Sequence, residues 1–133
     1  MAGRLTVSTL NNDTGVLATQ NGMTGIAKAW VNFNGVGGAI RGSFNVSSIT
    51  VNGTGDYTVN FTTAMPNANY AVAGAARWDG TASPTAIRYL GIINASGAAL
   101  SSDMSATFVR VVVGYANGSV QDPSVACVIV LSS

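Results

Sequence analysis

The chain has 133 residues, of which 47% are hydrophobic and only 8% charged, with a formal net charge of +1; a typical soluble domain carries roughly 25% charged residues. It has no histidine and no glutamate, and Asp13, Asp56, Asp79, Asp103 and Asp122 are dispersed along it, which removes the imidazole base of a triad, imidazole metal ligands and the carboxylate pair of a glycosidase. The expectation is therefore a non-enzymatic chain with no cofactor and no metal, and the scattered basic residues make no stripe suited to nucleic acid.

Residues 1–25 hold one strand-like run, RLTVSTL, followed by the turn-rich NNDTG and QNGMTG, with few large apolar side chains. They read as an N-terminal arm or attachment segment pairing with a neighbour, or as an edge strand folded back on the domain. Residues 26–133 are expected to form the domain itself. Apolar and polar residues alternate there with period two, broken by Gly, Asn, Ser and Asp roughly every eight to twelve residues, and no helical spacing recurs. The pattern predicts an all-β fold, an antiparallel β-sandwich of about eight strands.

After RLTVSTL, the next predicted strand is IAKAWVNFN. Its Trp30 is out of phase with Val31 and Phe33 and shares a face with Lys28 and Asn32; core packing on a twisted strand and a place in a subunit interface are both open to it. GVGGAIRG, Gly35 to Gly42, is read as a loop, since it lacks the helix and Gly-Lys-Ser/Thr of a phosphate-binding loop. In SFNVSSITV the apolar phase slips between Val46 and Ile49, which predicts a β-bulge at Ser47–Ser48. NGTGD then reverses the chain into DYTVNFTT, with Val51 facing Tyr57 across the hairpin. Ile49, Val51, Tyr57, Val59 and Phe61 are expected on the core face and Thr50, Asn52, Thr58, Asn60 and Thr62 on the other.

NYAVAGAARW puts Tyr70, Val72, Ala76 and Trp78 on one face and the small Ala71, Ala73 and Ala75 on the other, where a second sheet or subunit could approach closely. AIRYLGII, ATFVRVVVGY and VACVIVL complete the set. The last two are apolar on both faces, which an antiparallel sheet sustains only when both are covered. Cys127 reads as a small buried hydrophobe of low reactivity. Together with the shortage of charge, the two-sided strands imply that part of the surface is covered by other copies, with Trp30, Ala71, Ala73 and Ala75 as candidate interface residues. Asn, Ser and Thr offer the other way to solvate the surface. The longest apolar run, Val125 to Leu131, is too short to span a bilayer, and the first residues lack the apolar core of a leader, so a soluble chain without membrane insertion is expected.

RWDGTASPTAIRY, Arg77 to Tyr89, is the ligand candidate: Arg77, Trp78, Asp79, Arg88 and Tyr89 gather around a Gly/Ser/Pro loop. Aromatic faces beside polar donors and acceptors suit a sugar, which offers apolar ring faces and a fan of hydroxyls. The alternative is a strand end in the core with ordinary ion pairs. Six Asn-x-Ser/Thr triplets, at Asn12, Asn45, Asn52, Asn60, Asn94 and Asn117, follow from the composition.

AKAWVNFNG (Ala27 to Gly35), FNVSSIT (Phe44 to Thr50) and NGTGDYTVNFTTAMPNANYAV (Asn52 to Val72) resemble a module of bacteriophage virion proteins, common at the distal end of tail fibres. The resemblance covers residues 27–75; from Ala76 onward there is none, as in a variable, receptor-facing half. It implies a homotrimeric, non-enzymatic virion component, made in the host cytoplasm and placed on the tail or capsid surface. Its expected partners are its own copies, other virion proteins through the N-terminal arm, and a host-surface glycan. Because the module begins close to the first Met, a short fibre, a fibre-tip protein or a capsid decoration protein (cement or head-fibre) all remain open.

Overall fold

A computed structural model describes residues 26–78, 88–92, 103–115 and 117–132. RLTVSTL, the arm at 1–25 and Asp79 lie outside the described residues. Those described are all-β, without a helix, in β1 (Ala27–Phe33), β2 (Ile40–Phe44), β3 (Val46–Gly53), β4 (Asp56–Phe61), β5 (Ala71–Arg77), β6 (Arg88–Gly91), β7 (Phe108–Tyr115) and β8 (Val125–Leu131). They make two antiparallel four-stranded sheets, sheet A in the order β2-β1-β8-β5 and sheet B in the order β3-β4-β7-β6.

The sheets pack face to face because each strand sends every second side chain inward. Ala29, Val31 and Phe33 of β1 and Ala126, Val128 and Val130 of β8 meet Tyr57, Val59 and Phe61 of β4 and Val109, Val111 and Val113 of β7 in one buried cluster. Two edge-on ring pairs, Phe33 on Tyr57 at 5.1 Å and Phe61 on Tyr70 at 5.8 Å, lie within it. The Tyr70 hydroxyl donates to the carbonyls of Ser105 and Phe108 at 2.9 and 2.7 Å, and burial pushes its pKa up to about 12.

The predicted hairpin is present, with Val51 opposite Tyr57 and a register shift between Val46 and Ser48 where the bulge was expected. Gly55 supplies the positive φ, +69°, that its turn needs. Val51, expected on the core side, is 43% exposed, because β3 is an edge strand, where the β1–β2 turn approaches it at Gly38.

SFNVSSITV is not one strand. Asn45, at φ 55°, ends β2 in sheet A and starts β3 in sheet B. The left-handed conformation is tolerated by Asn, and its side chain fixes the corner: Nδ2 donates to the carbonyls of Lys28 and Thr63, and Oδ1 accepts from the Thr63 amide at 2.7 Å. GVGGAIRG is likewise not all loop, since Ile40, Arg41 and Gly42 belong to β2. Lys28 does not share the exposed face of Trp30. The β1–β8 register skips it, pairing Ala27 with Leu131 and Ala29 with Val130, and the bulged lysine is buried.

Candidate functional site

The two outer faces differ in kind. On sheet B the Thr/Asn face closes a network of its own. Asn60 Nδ2 donates to Ser48 Oγ at 3.1 Å and Thr50 Oγ1 at 3.0 Å, and Asn52 Nδ2 donates to Thr58 Oγ1 at 2.9 Å and Asp56 Oδ1 at 3.1 Å. Asp56 also takes two hydrogen bonds from Arg110, one from Nε at 2.8 Å and one from Nη2. The polar groups are therefore satisfied across the strands, and no second chain is required to complete them.

Arg110 holds the Asp56 carboxyl below the usual aspartate range, burial opposing it and Asn52 assisting. As pH falls, the unfolded chain takes up this proton first, so the pair stabilises the fold above the unfolded pKa and that contribution is lost as pH drops through the lower folded one. The stability advantage of the wild type over Asp56→Asn is expected to be full at neutral pH and to shrink below about pH 4. Urea midpoints measured from pH 7 to pH 2 check this; an advantage independent of pH would refute it.

On sheet A the outer face is apolar. Register places Ala73, Ile129, Trp30 and Phe44 in one row across the sheet, Ala75, Cys127, Asn32 and Gly42 in the next, and Ala71, Leu131 and Ala27 on the other side. Trp30 is 42%, Ile129 43% and Leu131 40% exposed, and Ala71, Ala73 and Ala75 are exposed beside them. All four candidate interface residues thus share one face. Cys127, expected to be buried, is half-buried on this face, because Ala126 and Val128 take the inward positions of β8.

The ligand candidates divide. Arg88, at the start of β6, lies with its guanidinium carbon 5.1 Å from the Trp78 ring centroid and 4.8 Å from that of Tyr115, both within cation–π range. Its Nη2 donates to the Tyr115 hydroxyl at 2.8 Å, and that hydroxyl donates to Gln121 Oε1. Tyr89 points to the other side of β6, opposite Gly114. Arg77 follows the parity of Ala71, Ala73 and Ala75 and so borders the apolar face of sheet A, opposite Val125. Trp78 and Arg88 are brought together; Arg77 and Tyr89 are not. Tyr115 and Gln121 were not anticipated as members. Tyr115 is the end of a predicted strand, but its pairing with Arg88 depends on a hairpin register that the sequence between them does not reveal.

Among the described residues, no three His, Cys, Asp or Glu side chains gather as a possible metal ligand set. Comparisons with known protein families, curated proteins and solved structures find no match to this chain.

Proposed function

We propose that the chain is a non-enzymatic structural protein of a bacteriophage virion, a short tail fibre or fibre-tip protein that assembles as a homotrimer. The observation that carries this reading is the outer face of sheet A, where Trp30, Ile129 and Leu131 stand exposed among alanines. The largest apolar residues of a surface are ordinarily scattered, and a contiguous set marks a contact. The resemblance of residues 27–75 to the tail-fibre module supports the same reading. In this reading residues 1–25 attach the domain to the particle, residues 26–133 form the trimerising domain, and the Trp78–Arg88–Tyr115 stack is where a host-surface glycan is met.

If burial of this face compensates for the scarcity of surface charge, dilution dissociates and destabilises the chain together. Sedimentation is expected to find trimers, and the melting temperature is expected to rise by several degrees between low and high micromolar protein. A monomer with a concentration-independent melting temperature would sink the proposal. Electron microscopy of the labelled particle then separates a tail position from the capsid surface, where the chain would act as a decoration protein.

A further inference from the structure

The outer face of sheet A has relief as well as apolarity. Trp30 on β1 and Ile129 and Leu131 on β8 form a ridge, and Ala71, Ala73 and Ala75 on the neighbouring β5 form a shallow trough. The Trp30 ring lies over β2: a Cβ on Gly42 would touch it at 3.5 Å, an ordinary van der Waals contact. A flat patch could accept many partners, whereas a ridge beside a trough of similar length is complementary to itself.

We infer that neighbouring copies of this chain cover this face, the ridge of each copy seated in the alanine trough of the next. This rests on the trimer proposed above and names its contact, a head-to-tail arrangement that closes after three copies. Charge allows a like copy. None of the residues in the three rows is ionic, and the two arginines near the face stand at its borders, Arg77 on β5 and Arg41 on β2, whose guanidinium donates to Asn32 Oδ1 and to the Ser124 carbonyl, so two such faces meet without burying an unpaired charge at their centre. Area sets the strength. Four strands about 4.8 Å apart, with about 3.3 Å per residue over seven residues, give a plane on the order of 400 Å², about half of the roughly 800 Å² per partner of a standard stable interface. The contact is therefore reversible on dilution.

Cys127 reports on it directly. It lies on an inner strand of the face, paired in register between Asn32 and Ala75 in the row next to Ile129, so its thiol is covered when the copies meet. The full chain is labelled with a small maleimide over a range of protein concentrations while its mass is followed by sedimentation. Labelling is expected to slow several-fold as the assembly forms. Ala73→Trp, which fills the trough yet keeps it apolar, is expected to weaken association at least tenfold and to restore fast labelling. Adding Trp30→Ala to it removes the ridge that no longer fits and is expected to recover part of the association. Ala73 is exposed, so neither change burdens the core, and a circular dichroism spectrum unchanged from wild type checks the fold. An assembled wild type whose Cys127 labels equally fast at every concentration, with Ala73→Trp still assembled, would overturn the assignment of this face and leave the assembly standing. A wild type that is monomeric throughout would overturn both.

Discussion

Replacing Phe33 by alanine is expected to cost about 3–5 kcal/mol of unfolding free energy, a large share of the 5–15 kcal/mol typical of a whole domain. Phe33 is fully buried. It comes from β1 in sheet A, and its ring meets the ring of Tyr57 from sheet B at an interplanar angle of 68°. Alanine there removes the contact between sheets and leaves a cavity that two hydrogen-bonded sheets cannot collapse into. Phe33→Leu keeps most of the volume and is expected to cost less than about 1.5 kcal/mol. Urea denaturation at fixed protein concentration measures both; a loss below about 1 kcal/mol for the alanine variant would contradict a packed contact between the sheets at this point.

Asp122→Ala is the second large effect, at about 2–4 kcal/mol for two donors deprived of their acceptor. Asp122 Oδ1 accepts from the Tyr57 hydroxyl at 2.6 Å and from the Gly55 amide at 2.7 Å. Burial, and then the Asp122 carboxylate, hold the Tyr57 phenol protonated well above the usual tyrosine range, so at neutral pH it is always a donor. The site has no slack. A Cβ on Gly35 would come within 2.3 Å of Pro123 Cδ and 2.7 Å of the Tyr57 hydroxyl, and one on Gly55 within 2.5 Å of the Val113 carbonyl. Asp122→Asn keeps an oxygen in place and is expected to cost no more than about half as much as the alanine change. Equal losses for the two variants would show that the charge, not the acceptor geometry, matters here. The measurement is again the urea midpoint, read at pH 7.

Where local chemistry decides the structure, it could be read from the residues in order. The β3–β4 hairpin, its bulge and the two faces of β5 follow from period-two alternation and from glycines placed at a turn. The alternation also set Ala71, Ala73 and Ala75 apart from Val72 and Ala76. What could not be read is tertiary. Asn45 sits in the middle of a string that alternates well enough to be a single strand, and only the presence of two sheets makes a corner there favourable. Lys28 left the face that parity gave it because one bulge in the β1–β8 pairing shifted everything before Ala29. The arginine stack was half visible: Trp78 and Arg88 fall within one short stretch, whereas Tyr115 reaches it through the β6–β7 pairing and Gln121 through the chain reversal that follows β7.

The strand order of sheet A has a consequence for how the chain reaches this structure. β8, last of the eight described strands, lies between β1 and β5, so Trp30 finds its neighbour Ile129 about 100 residues downstream, a closure whose entropy cost no local contact offsets. Sheet B gains its β3–β4 hairpin early, from adjacent residues. β1 and β5 have no bond to each other and wait as open edges until the final strand arrives between them. During that interval the half-built sheet offers unpaired backbone to any neighbouring chain, and the order of synthesis, more than the finished stability, sets the risk of mispairing.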